Sequence, residues 1–138
     1  MSNTLQEKKS YKNIPYVYCA GKLNAEAIDY LLNVRTLMEL SESVREAGMG
    51  YFCPAIDLLM GITFGYANYH DYFDNGQVAL LHCDAMIVAH NWKTSTGTQA
   101  EIKLAEENDI PVFYDIKDLI KWKKRREEEI TNGSFVGA

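Results

Sequence analysis

Seven consecutive residues, Ser95-Thr96-Gly97-Thr98-Gln99-Ala100-Glu101, set hydroxyls, a glycine and a carboxylate side by side between two apolar stretches. A positioned carboxylate beside a loop whose amides favour anions suits nucleophilic chemistry on a polar or phosphorylated substrate. The same residues have a structural reading. Thr98-x-x-Glu101 is also a capping box, in which Glu101 bonds the Thr98 amide and does nothing more. Spacing alone leaves both readings open.

The elements that must hold these residues are legible around them. Ala85 to Ala89 (AMIVA) is a short continuous apolar run, as expected of a strand covered on both faces. The polar stretch HNWKTSTGT interrupts it. From Gly97 and Thr98 a helical pattern begins, with Ala100, Leu104 and Ala105 recurring until Asn108, and a further apolar run follows at Ile110 to Phe113. Strand, loop, helix, strand is a βαβ unit. Ligands in such units sit beyond the carboxyl ends of the strands, where Ser95, Gly97 and Thr98 fall. Glu101 is expected in the first helical turn, where the dipole favours its ionised form.

The bounds on function come from composition. At 138 residues and 47% hydrophobic content the chain suits one ordinary core. The expected layout is a flexible segment at 1–13, a single domain at 14–130 and a mobile tail at 131–138. A net charge of −5 argues against a nucleic-acid polymer as partner, because such affinity rests largely on Lys and Arg. No apolar run reaches the ~20 residues of a membrane span, and the first residues lack the apolar core of a signal peptide, so a cytoplasmic protein without a membrane partner is expected. Cys19, Cys53 and Cys83 show no metal-binding spacing and read as reduced buried thiols. His70, His82 and His90 form no ligand pattern, so neither a metal nor another cofactor is expected.

In chain order, Pro15 to Ala20 reads as the first strand, turning at Gly21. Asn24 is placed to cap a long helix to about Ala47, with Leu37, Leu40, Val44 and Ala47 on one stripe and Gly48 as the stop. Tyr51 to Cys53 is a short second strand ended by Pro54. Ile56 to Ile62 follows as a turn or two of helix, weakened by Gly61 and Gly65. The Tyr-rich stretch GYANYHDYFDNGQ leads into a helix over about Tyr69 to His82. Its Tyr66, Tyr69, Tyr72 and Phe73 suit either a stacking wall for a base or plain core. Pro111 to Tyr114 is the fourth strand, and Ile116, Leu119 and Ile120 mark a last helix. The fold class is therefore three-layer α/β: a flavodoxin-like parallel sheet of four or five strands with helices on both faces. A strand order of 2-1-3-4 would bring Tyr18 and Gly21 near the loop of Trp92 and Ser95.

Ser95-x-Gly97-x-x-x-Glu101, the Asp-headed strand at Asp84 and the opening Tyr18-Cys19-Ala20-Gly21 together resemble the nucleoside 2-deoxyribosyltransferase superfamily. Within it the likeness is to the 2'-deoxynucleoside 5'-monophosphate N-glycosidases and to small, often phage-borne relatives. The resemblance spans about Tyr16 to Trp122. It implies an enzyme that breaks the bond between deoxyribose C1' and a base, by hydrolysis or transfer. Glu101 matches the nucleophile, and Ser95 with the Gly97 amide matches the 5'-phosphate site. Tyr18 matches a residue beside sugar and nucleophile. Thr98, Gly21, Trp92 and Asp84 complete the candidate substrate-binding set, with Trp92 suited equally to base stacking or to packing across the sheet edge, and Asp84 suited more to structural work at the strand entrance than to catalysis. Family members of this kind assemble as dimers or larger, so a homo-oligomer is expected. One departure stands out. The hydrolases carry an Asp eight residues before the strand-leading Asp, but here that position is Gly76, leaving Asp74 as the candidate acid. A nucleotide-binding protein that senses or sequesters a nucleotide-derived signal without catalysis is the alternative.

Overall fold

The computed structural model describes residues 10–64 and 69–133, with side chains excepted at 69–72. Four short strands, β1 (Tyr16–Ala20), β2 (Gly50–Phe52), β3 (Ala85–Val88) and β4 (Val112–Phe113), pair in parallel in the order β2-β1-β3-β4. Five helices, α1 (Ala27–Glu46), α2 (Asp57–Phe64), α3 (Tyr69–Leu81), α4 (Thr96–Glu107) and α5 (Ile116–Thr131), join and follow them. This is the expected three-layer, flavodoxin-like architecture, with β1 and β3 adjacent at the switch point.

Alternation along the strands decides which layer each residue serves. From β1 and β3, Val17, Cys19, Ala85 and Ile87 meet Val34, Leu37 and Val44 of α1 and Leu119 of α5. Tyr18, Ala20, Met86 and Val88 point the other way, onto Leu80 of α3 and Ile102 and Ala105 of α4. Both faces of β1 and β3 are thus covered, which explains their unbroken apolar runs. Register sets Tyr18 beside Phe52 on one side and Met86 on the other, at the middle of the sheet.

Some boundaries differ from expectation. Asn24 does not cap α1; the helix starts at Ala27 after Glu26, which makes no side-chain capping bond, and Ala27 itself has φ of +36°. Gly48, with φ of +83°, does end it, because a left-handed residue without a Cβ costs little there. Gly61 does not break α2, an eight-residue helix. Beyond its core stripe, α1 carries a second, outward one: Ile28, Leu31, Leu32 and Met38 are all more than half exposed. In the expected stacking wall, Tyr66 and the side chains of Tyr69 and Tyr72 lie outside the described residues, and Phe73 is partly buried. Cys19 and Cys83 are buried free thiols, pushed up to about 12 by desolvation, and Cys53 is free and partly buried. No described helix is long and apolar enough to cross a membrane.

Candidate functional site

Because Tyr18 belongs to the central strand and faces the α3/α4 layer, its side chain is almost wholly buried, at 1% exposure. Its hydroxyl donates a hydrogen bond to Oε2 of Glu101, which reaches back from α4. Burial of a carboxyl in this apolar layer pushes Glu101 up to about 7, and the Tyr18 bond acts in the opposite sense by favouring the carboxylate. Tyr18 is pushed far above the ordinary tyrosine range, first by burial and then by the charge and hydrogen bond of Glu101.

Gly76 closes over this pair from α3. A Cβ built at Gly76 would stand 3.0 Å from the Tyr18 hydroxyl oxygen and 3.9 Å from Glu101 Oε2. The helix therefore approaches the two polar groups as closely as it does only because the residue has no side chain. Across the sheet, Phe52 of β2 stacks on Tyr18 with ring centroids 5.5 Å apart and planes inclined by 20°. Asp57, the first residue of α2, lies near enough for its charge to oppose ionisation of Tyr18. Partial burial raises the Asp57 carboxyl as well.

Two expectations for Glu101 are corrected by where α4 begins. Ser95 is the N-cap: its Oγ accepts from the Thr98 amide at 3.1 Å and from the Thr98 hydroxyl at 2.8 Å. With the helix starting at Thr96, no acidic residue lies in its first turn, and Glu101 falls in the second. The capping bond from Glu101 to Thr98 is not made, because Ser95 takes that amide and Glu101 turns to Tyr18. Burial rather than the helix dipole then governs Glu101. Thr98 is 1% exposed and committed to Ser95, so its role is to hold the turn. Gly97 occupies the first turn of α4, where backbone amides have no partner within the helix.

The loops after β1 and β3 are tied together beside this turn. A Cβ at Gly21 would meet Ala89 Cβ and Leu37 Cδ2, each at 3.0 Å, so glycine there lets the two segments pack. The Lys22 amide donates to Asn91 Oδ1 at 3.1 Å, and Lys22 Nζ donates to Thr94 Oγ1 at 3.3 Å. Lys22 thus brings a cation to the residue preceding the Ser95 cap. Trp92 is partly buried against the α4-side core, and Tyr114 lies 5.4 Å away at 48°. Lys93 Nζ stands 5.8 Å from the Trp92 ring centre. Packing, not a free stacking face, describes Trp92.

Two other sequence candidates stand apart from the pair. Asp74 is exposed, and its position two residues before Gly76 turns it roughly 200° around α3 from the glycine. Asp84 sits at the opposite, amino-terminal edge of the sheet. Its Oδ2 accepts from the Tyr16 amide at 2.8 Å, and its Oδ1 is 3.6 Å from Arg126. Asp84 pins β3 to β1 and α5, which is the structural one of the two roles open to it in the sequence. The residue that sequence reasoning missed is Asp57. Its only signal was an acidic residue opening a short helix just after Pro54, at the carboxyl end of a strand.

A family model described as DUF4406, a domain of unknown function, matches residues 15–114. The chain belongs to that family. The matched segment runs from the residue before β1 through β4 and takes in Tyr18, Asp57, Gly76 and Glu101, so the paired groups belong to the DUF4406 domain itself, while α5 lies beyond it. No curated protein gives a significant match.

Proposed function

We propose that this DUF4406 domain processes the N-glycosidic bond of (deoxy)nucleoside 5'-monophosphates, as a hydrolase or a deoxyribosyltransferase with Glu101 as nucleophile. The observation that carries the reading is the hydrogen bond from the buried Tyr18 to Glu101, whose carboxyl is itself raised by burial. A carboxyl with a pKa of about 7 is present in both forms near neutrality, and a fixed donor aims it. In the reaction, a Glu101 carboxylate oxygen bonds to C1' as the C1'–N bond breaks, and its electron pair leaves with the base, which takes up a proton. Water, or the nitrogen of a second base, then displaces Glu101 from C1'. The 5'-phosphate goes to the amide of Gly97 and the hydroxyl of Ser95, where a helix start and the nearby Lys22 ammonium supply positive potential. The likeness to the nucleoside 2-deoxyribosyltransferase superfamily supports the same assignment.

A second reading is favoured by a specific observation. The place facing the pair on α3 is a glycine, and Asp74 is exposed, so among the described residues α3 brings no second carboxylate to Glu101. A protein that binds a nucleotide-derived signal and keeps it fits this arrangement. Chromatographic detection of free base from a panel of deoxynucleoside monophosphates, beside calorimetric binding, separates the two. Base release by the parent, lost in Glu101→Ala, supports the enzyme; tight binding without release supports sequestration; full activity in Glu101→Ala ends the nucleophile assignment. Association with a second copy belongs to the same proposal. It is supported by the outward apolar stripe of α1, and light scattering at high concentration checks it, a monomer counting against it.

A further inference from the structure

Phe52 is the last paired residue of β2, opposite Tyr18 of β1, and the next residue on each strand is a cysteine. Cys53 keeps an extended backbone, with φ of −119° and ψ of 111°, so the alternation of faces runs on through it. Tyr18 and Phe52 stack on the α3/α4 side of the sheet. Cys19 and Cys53 turn to the other side, where both pack in the layer of Leu37 and Val44. Neighbouring strands stand about 4.8 Å apart, inside the ~4.4–6.8 Å range of Cα separations that a disulfide spans. The bond also needs the two Cβ atoms at about 3.8 Å. Cys53 is free to make that closure, because it lies one residue past the β1/β2 ladder, just before the short turn Pro54–Ile56. Cys83 belongs to the opposite layer, its thiol donating to the Ala79 carbonyl at 3.3 Å.

We propose that Cys19 and Cys53 form a reversible disulfide on oxidation, fastening β2 to β1 directly behind the Tyr18–Phe52 stack. With hydrogen peroxide as the oxidant, Cys53 reacts first, being the more exposed of the two. Its thiolate sulfur bonds to one peroxide oxygen as the O–O bond breaks, leaving a sulfenic acid, and the departing hydroxide joins the thiol's proton as water. The Cys19 sulfur then attacks the Cys53 sulfur, the S–O bond breaks, and the second hydroxide takes the Cys19 proton. One peroxide and two thiols thus give one disulfide and two waters. Burial pushes the Cys19 thiol up to about 12 and so protects it from direct oxidation, while the buried Ser41 hydroxyl beside it acts the other way and favours the thiolate that the second step uses. The pairing depends on no particular ligand in the site.

The test treats the full chain with hydrogen peroxide, then denatures it, alkylates the free thiols and maps the peptides by mass spectrometry, with Cys53→Ser and Cys83→Ser alongside. The reduced parent should alkylate at all three cysteines. The oxidised parent should alkylate at Cys83 alone, with the peptides of Cys19 and Cys53 joined at a mass lower by two hydrogens, and dithiothreitol should restore all three thiols. Cys83→Ser should form the same bridge and Cys53→Ser none. The oxidised parent should melt above the reduced one, because the bridge closes a loop that runs through the whole of α1. Free Cys19 and Cys53 after peroxide overturn the proposal, as do a bridge that takes in Cys83, a bridge between two chains, or Cys53 carried unpaired to the sulfinic acid. A bridged chain that melts below the reduced one overturns it too, by showing strands forced together. The parent's peptide map decides even where a variant does not fold.

Discussion

The Tyr18 hydroxyl and the Glu101 carboxylate, 83 residues apart in sequence, form one hydrogen-bonded pair beneath α3. Neither residue comes to the other through local geometry. Tyr18 is carried by the central strand, Glu101 by the helix that follows its neighbour β3, and parallel pairing of β1 with β3 brings the two elements together.

The pair makes stability depend on pH. Glu101 in the fold has a pKa of about 7 against an ordinary 4.5, so between those values the native chain holds a proton that the unfolded chain has lost. Stability contributed at this position is therefore present below about pH 4.5 and lost as pH rises through 7. Glu101→Gln keeps an acceptor for Tyr18 and removes the ionisation. Denaturant melts should show the variant more stable than the parent at pH 8, by roughly 1–3 kcal/mol, with the gap closing near pH 4.5.

Removing the Tyr18 hydroxyl should move the titration further. Its hydrogen bond favours the charged form of Glu101, so Tyr18→Phe is expected to raise the Glu101 pKa above the parent value. Carbon-detected NMR titration of the glutamate carboxyls reads this directly, and an unchanged or lowered value would contradict the pairing. If the domain releases base, the acidic limb of its pH–rate profile should shift the same way.

Gly76→Ala sets two effects against each other. Alanine gains up to about 1 kcal/mol of helix propensity, but its methyl would stand 3.0 Å from the Tyr18 oxygen, and overpacking of this kind costs about 1–3 kcal/mol. The expected balance is a net loss of stability together with weaker nucleotide binding, measured by melting and calorimetry. A more stable variant with unchanged binding would show that α3 yields easily at this point.

Ser95→Ala separates the cap from the anion contact. Loss of the cap should cost about 1 kcal/mol in a denaturant melt. If the Ser95 turn also holds the 5'-phosphate, affinity for a nucleoside monophosphate should fall more than affinity for the matching nucleoside. Equal losses would mean that Ser95 only shapes the turn.

What could be read from the sequence was what depends on pattern. The apolar runs at Val17 to Ala20 and Ala85 to Ala89, and the helical stripe of Leu37 and Val44, settle the layers and support the strand order, and Tyr18 and Glu101 were singled out together. The failures were local and have physical causes. Thr98-x-x-Glu101 fits a capping box, yet Ser95-x-x-Thr98 overlaps it one turn earlier and wins the Thr98 amide, which leaves Glu101 to the buried layer. Asp84 carries the right type of side chain at the wrong end of a strand, a distinction that spacing does not encode. Asp57 had no motif around it; its relation to Tyr18 exists only because β2 lies beside β1.

Gly76 also bears on how a lineage carrying this fold can change. Glycine and aspartate codons differ by a single base, so the residue that faces the Tyr18 hydroxyl from α3 stands one point mutation away from being an acid. The scaffold around it, a buried phenol already paired with a carboxyl, must give way by a few tenths of an ångström to admit any side chain there. On the nucleotide reading proposed above, an acid at this position would set a second carboxylate beside Glu101 without rebuilding the sheet, and selection on that single site would be felt first as an exchange of α3 packing for chemistry.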